Sequence, residues 1–153
     1  MAVRHPQLAL DQQICFPLYA ASRAMTRAYA DLLGPVGLTY PQYLVLLALW
    51  EASGPRTVGE LGERLQLDSG TLTPLLKRLE GMGHVVRRRD PDDERRVLVE
   101  LTPSGAGLQD EVAEVPAGLI AAEPLTIEQV EDLRRRLDEV LAAARAAEPG
   151  SGG

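Results

Sequence analysis

Between residues 57 and 105 the chain reads TVGELGERLQLDSGTLTPLLKRLEGMGHVVRRRDPDDERRVLVELTPSG, and the order of local signals in this run leaves few folds open. Thr57 and Glu60 have capping-box spacing, and Val58, Leu61 and Leu65 form one apolar stripe, which predicts a short helix of roughly ten residues. QLD is a tight turn. A second helix over 68–80, capped by Asp68 or Ser69 and ended by Gly81 or Gly83, turns Leu72, Leu75, Leu76 and Leu79 inward. Ser69, Gly70, Thr71, Thr73, Pro74, Lys77 and Arg78 are left on or near its other face. HVVRRR and RRVLVEL are β-rich runs around DPDDE, a hairpin with a charged tip. Helix, turn, helix, hairpin is the order of a winged helix-turn-helix.

Helices flank this module. Apolar residues at three- and four-residue spacing (Ile14, Leu18, Ala21, Met25, Ala28, Leu32) predict a helix over 11–33 with Asp11 as its cap, broken by GPVG at 34–37. A second helix runs from about Tyr40 to Ala52, with Thr39 as cap and Pro41 in its first turn, and SGP ends it. After the hairpin, Thr102 caps and Pro103 opens a helix that continues to about Val115, where Pro116 and then Pro124 interrupt it. A last helix starts at the TIEQ capping box and carries Val130, Leu133, Leu137, Val140 and Leu141. The fold class expected is mostly α with a small antiparallel β wing.

The net charge of −6 argues at first against a nucleic-acid partner, but the charge is not evenly spread. Residues 64–89 hold Arg64, Lys77, Arg78, Arg87, Arg88 and Arg89 against Asp68 and Glu80, a net of +4, which leaves −10 for the rest. A basic helix face and its adjoining hairpin on an acidic body suit a double-stranded DNA partner better than a solvated surface. The major groove admits one α-helix, and the small, hydroxylic start of helix 68–80 allows close approach to it. Arg95 and Arg96 at the hairpin tip would reach a minor groove. No apolar run spans a membrane, no secretory signal is legible, and one cysteine forms no internal disulfide, so a cytoplasmic protein without a membrane partner is expected. His5 and His84 lack metal-ligand spacing, there is no CxxC, and no cofactor is implied.

That single cysteine, Cys15, lies in LDQQICFPLYAASRAMTRAY. An isolated cysteine is ordinarily a small buried hydrophobe. Here it falls near a helix N-terminus, where partial positive charge favours thiolate over thiol. Pro17 cannot donate to the Gln13 carbonyl, so the first turns are loosened or the helix restarts there. Tyr19, at i+4, shares the cysteine's face and has a phenol able to donate to a thiolate. Tyr29 lies roughly 21 Å further along a straight helix axis. In an antiparallel pair of such helices crossing near residue 22, at small residues, Tyr29 of one chain would lie beside Cys15 of the other, which fits a two-fold homodimer. Tyr40 would be a third phenol; the alternative for any one tyrosine, and most of all for Tyr43, is plain packing.

LDSGTLTPLLKRLEGMGHVVRRRDPDDERRVLVELTPSG resembles the winged helix of the MarR family of bacterial transcription regulators. LDQQICFPLYAASRAMTRAY with LTYPQYLVLLALWE resembles its organic-hydroperoxide-sensing (OhrR-like) branch, and the likeness covers roughly residues 8–145. It implies a homodimeric repressor that leaves an inverted-repeat operator when an organic hydroperoxide oxidises Cys15, with Tyr19, Tyr29 and Tyr40 around the sulfur. It implies Ser69, Thr71 and Arg78 in the major groove, Asp68 capping or orienting, Lys77 on phosphate, Arg95 in the minor groove and Asp93 bracing it; Arg96 stands where a strand residue is expected and has no assigned role. The regions expected are a helical dimerisation part, 8–36 and 103–146, a DNA-binding domain, 37–102, and a disordered tail, 147–153. With one cysteine the chain departs from two-cysteine members, so an external low-molecular-weight thiol, or overoxidation, must stabilise the oxidised state. The rival readings are a MarR-type repressor induced by an aromatic anion without redox chemistry, a thiol peroxidase, and a dimerisation module with solvated arginines.

Overall fold

The computed structural model describes residues 5–122 and 125–147. Contacts divide the chain into two units, 1–115 and 116–153. The elements in order are α1 (Cys15–Leu33), α2 (Tyr40–Trp50), β1 (Arg56–Thr57), α3 (Val58–Leu65), α4 (Ser69–Gly81), β2 (Val85–Arg89), β3 (Val97–Leu101), α5 (Pro103–Val112), α6 (Val115–Ala122) and α7 (Ile127–Ala147).

The first unit is built around α2. This helix is apolar nearly all round and buries Gln42, Tyr43, Val45, Leu46, Ala48 and Leu49. Against it pack Leu61 of α3 and Leu72, Leu75, Leu76 and Leu79 of α4. Leu72, Leu76 and Leu79 are fully buried, so truncating any one to alanine would cost about 3 kcal/mol. Thr57, Asp68 and Thr102 act as the caps read from sequence. The Thr57 hydroxyl accepts from the Glu60 N–H at 3.1 Å while Glu60 accepts the Thr57 N–H at 2.7 Å. Asp68 accepts the Thr71 N–H at 2.8 Å, and Thr102 that of Gly105 at 3.0 Å. The turn between α3 and α4 is closed by Gln66 in the left-handed region (φ 56°). A Cβ on Gly62 would lie 2.7 Å from the Leu67 carbonyl oxygen, so glycine lets the turn fold back this tightly.

Several expectations are corrected. The first helix starts at Cys15, not Asp11, and Asp11 caps nothing; its N-cap is Ile14, with no side-chain bond. Residues Pro6–Leu8 and Leu10–Gln12 form separate 3-10 turns, and Gln13 is extended between them and the helix. Pro17 is the reason: it has no N–H for residue 13, and it is tolerated only in a first turn. The sheet has three strands rather than two, in the order β1-β3-β2, all antiparallel, with Arg56 opposite Val99 and Val85 opposite Leu101. β1 is two residues leading into the α3 cap and makes β3 a central strand. Arg96 precedes β3 instead of belonging to it. The helix opened by Pro103 ends at Val112, slightly short of Val115, and after a two-residue turn α6 restarts with Pro116 in its first turn, where no N–H is needed. The second helix ends at Trp50, slightly short of Ala52. Pro124 and residues 148–153 of the expected tail lie outside the described residues.

In the second unit α7 is preceded by Thr126, whose hydroxyl accepts the Gln129 N–H at 3.2 Å while its own N–H donates to Gln129 at 2.8 Å. α7 buries none of its residues; Leu133, Val140 and Leu141 are exposed. Among the described residues no single helix is long and apolar enough to cross a membrane.

The wing is tied to the helices at one tight point. Thr102 donates to the Gly83 carbonyl at 2.6 Å, its N–H to the His84 carbonyl at 3.1 Å, and Trp50 Nε1 to the Gly105 carbonyl at 3.0 Å. A Cβ on Gly105 would land on the His84 carbonyl oxygen. Gly105→Ala is therefore expected to destabilise the protein by about 3 kcal/mol. Thermal melting followed by circular dichroism should show a midpoint lowered by about 6–12 °C.

Candidate DNA interface and thiol site

On α4, burial of the leucine face leaves Ser69, Thr71, Lys77 and Arg78 exposed. Asp68 accepts from both the N–H and the hydroxyl of Thr71, which fixes the start of the helix and holds its carboxyl below the usual range. Among the described residues neither Lys77 nor Arg78 forms an ion pair.

The wing presents one cation far into solvent. Arg95 has a side chain 91% exposed and is held by Asp93, whose Oδ1 accepts from Arg95 Nε at 3.1 Å and from its backbone N–H at 3.1 Å. These bonds lower the Asp93 carboxyl. The brace expected from sequence is present. Arg96, the residue without an assigned role, supports the loop: its guanidinium is 3.8 Å from buried Asp90, and its carbonyl accepts the Asp90 N–H at 3.0 Å. Arg89 counts in the basic run of the sequence without a role of its own. It donates to the Glu94 carbonyl at 2.9 Å across the loop, a contact that only the register of the hairpin reveals.

The net +4 counted along residues 64–89 is not all available to a polyanion. Arg64 pairs with Glu51 at 2.8 Å, Arg87 with Glu80 at 2.6 Å and Arg88 with Glu100 at 2.7 Å. The basic surface is narrower than the sequence count, and it centres on Lys77, Arg78 and the wing loop. The Arg87 pair has a mechanical role as well. Glu80, at the end of α4, accepts from the backbone N–H, Nε and Nη2 of Arg87 on β2, so the wing and α4 move as one piece.

The residues around the expected thiol site fall into two groups at opposite ends of α1. At its start, Cys15 is the first helical residue and its thiol is free and exposed. Tyr19 is exposed too; its hydroxyl accepts from Arg23 Nη1 at 3.2 Å, and the guanidinium lies 5.6 Å from its ring centroid. Among the described residues no hydrogen bond joins Tyr19 to Cys15. The Arg23 contact was missed in the sequence, although its i+4 spacing from Tyr19 was the available signal. Near the other end, Tyr29 stacks on Tyr40 with ring centroids 4.2 Å apart, and Tyr43 lies 5.9 Å from Tyr29. Burial and then the neighbouring phenols push Tyr29 up to about 12, and burial raises Tyr40. These phenols are protonated donors at neutral pH. Of the α1 residues only Leu33 is buried; Ile14, Leu18, Ala21 and Met25 of the apolar stripe are exposed, Ala28 and Leu32 are half-buried, and Phe16 beside the cysteine is exposed too.

Residues 28–112 match the family model of the SarA/Rot transcriptional regulators. The organic hydroperoxide resistance transcriptional regulator of Bacillus subtilis (strain 168) is 43% identical over 141 residues, 92% of this chain and 95% of its own length. The transcriptional regulator TtmR of Methylorubrum extorquens (strain PA1) is 51% identical over 137 residues, 90% of this chain and 68% of its own. The chain belongs to the MarR family of transcription regulators, in its OhrR-like branch. Reduced AbfR bound to DNA superposes with a TM-score of 0.80 at 35% identity, covering 94% of this chain and 98% of AbfR. Overoxidised AbfR on DNA (TM-score 0.71, 39% identity, 90% and 99% covered) and a disulfide form of AbfR have also been solved. This regulator is thus a DNA-binding winged-helix protein and not an enzyme. The peroxidase reading falls, and so does that of a module that does not bind DNA.

The Glu80–Arg87 link yields a test. Glu80→Gln should lower stability by about 1 kcal/mol at neutral pH, as expected for a partly buried pair still screened by solvent. The Arg87 bonds hold the Glu80 carboxyl below its ordinary 4.5, so its contribution is present above pH 4.5 and is lost as pH falls through the lowered value. Urea titrations at pH 7 and pH 3 should show the variant and the wild type converging in acid.

Proposed function

We propose that this regulator is a homodimeric repressor that senses organic hydroperoxides by oxidation of Cys15 and then releases an inverted-repeat operator. The observation that carries the reading is the position of the sole cysteine: a free, exposed thiol at the first residue of a helix whose apolar stripe is largely uncovered within its own unit. An uncovered stripe of this kind asks for a second copy. In an antiparallel pairing of α1 crossing near residue 22, the Tyr29–Tyr40 stack of the partner subunit comes beside Cys15, with the C-terminal helices completing the dimer. Tyr29 and Tyr40, both kept protonated by burial, would then donate to the thiolate.

On DNA, α4 enters the major groove with Ser69, Thr71 and Arg78 toward the bases and Lys77 on phosphate, while Asp68 holds the helix start. Arg95, braced by Asp93, enters the minor groove. The two α4 helices of the dimer read half-sites one turn apart, roughly 34 Å. The thiolate attacks the terminal oxygen of the hydroperoxide; the O–O bond breaks, the alcohol leaves and Cys15 becomes a sulfenic acid. An external low-molecular-weight thiol then condenses with it, releasing water and leaving a mixed disulfide. The added bulk breaks the tyrosine contacts, alters the spacing of the α4 helices and lowers affinity; a coupling of a few kcal/mol suffices.

A gel shift on the operator, with and without cumene hydroperoxide, tests this. Wild type should release DNA and Cys15→Ser should stay bound; a serine variant that still leaves on peroxide treatment sinks the reading, and one that leaves only with an aromatic anion favours the ligand-induced alternative. Separately, Lys77→Ala should reduce the slope of log affinity against log salt by about two per dimer, one for each lost phosphate contact.

A further inference from the structure

We propose that Arg23 is a positioning residue for the peroxide reaction of Cys15, acting through Tyr19; the proposal rests on the sensing role given above. One hydrogen bond holds the ring: Arg23 Nη1 donates to the Tyr19 oxygen at 3.2 Å, with the guanidinium carbon 5.6 Å from the ring centroid. Held so, the arginine gives up rotamer freedom that a solvated side chain keeps. Cys15, Tyr19 and Arg23 follow one another at i, i+4 and i+8, so each side chain neighbours the next along one row of α1. From Cys15 to Ser22 the helix carries no charged side chain, which makes Arg23 the first charge in the row.

The row suits the chemistry of a leaving oxygen. The thiolate of Cys15 attacks the terminal oxygen of ROOH, an S–O bond forms, and the O–O pair departs on RO⁻, which takes a proton from solvent to give ROH. Negative charge develops on that alkoxide, and a donor aimed at it lowers the barrier. Tyr19 has the donor to give: its oxygen accepts from Arg23, and its own O–H is left over. Arg23 fixes the ring and polarises the phenol from behind.

Two reagents separate this role from a structural one. Iodoacetamide meets the same thiolate, but its leaving group, iodide, needs no hydrogen bond. The measurement is the second-order loss of the Cys15 thiol of the full-length protein to cumene hydroperoxide and to iodoacetamide at one pH, for wild type, Arg23→Met and Arg23→Lys. Arg23→Met should react with the hydroperoxide about tenfold more slowly. Arg23→Lys should recover part of that rate, because it keeps the charge without the planar fork. All three should react with iodoacetamide within about twofold of one another. An equal fall with both reagents, or no fall with the hydroperoxide, overturns the role of Arg23. A wild-type hydroperoxide rate no faster than that of free cysteine would instead overturn the sensing role of Cys15.

Discussion

The rotation of α4 about its own axis is the constraint on which the DNA-binding half depends. Leu72, Leu76 and Leu79 are all fully buried against α2 and α3, so a turn of the helix by one residue would drive leucines into water and hydroxyls into the core. That locking is what makes the exposed row Ser69, Thr71, Lys77 and Arg78 a fixed surface. The wing inherits the setting through the Glu80–Arg87 bonds and the Thr102 cap. Recognition helix and ribbon thus form a rigid reader supported by an aliphatic core and a few polar ties, with no metal or disulfide among its described residues.

α1 obeys the opposite rule. It is a regular helix of 19 residues with one buried side chain, and helices of that kind draw their stability from packing rather than propensity. In the proposed homodimer its covering comes from the second copy. Folding, dimerisation and the setting of the tyrosines around the thiol would then be one event, and a disturbance of the sulfur would act on an interface rather than on a closed core. That is a reasonable place for a sensor, since the energy difference between two interface packings is a few kcal/mol.

The parts of the molecule legible in the sequence are those decided within a few residues. The Thr57–Glu60 box, the Asp68 and Thr102 caps, the leucine face of α4 and the hairpin around DPDDE each follow from local spacing, and the comparison with AbfR on DNA agrees with the architecture they define. What escaped depends on distance or on competition. β1 is two residues with no strand signal and exists because β3 offers it a ladder. The start of α1 was placed too early because the apolar period continues through Ile14 while Pro17 quietly removes the bond that would extend the helix. Arg87 and Glu80 belong to different elements, so their neutralisation of each other could not be counted in a linear charge sum. The tyrosine stack needs the crossing of α1 over α2, and the meeting of Cys15 with Tyr29 and Tyr40 belongs to the proposed dimer, which no single sequence displays.

The bond from Trp50 Nε1 to the Gly105 carbonyl ties the end of α2 to the start of α5, beside the root of the wing. Trp50 is the sole indole in the chain. Its emission colour and intensity depend on that one bond and on the packing of Tyr43 at its edge, 6.3 Å away. The protein therefore carries a built-in optical gauge at the junction between its reading head and its helical body, and strain passing through that junction would be visible without any attached dye.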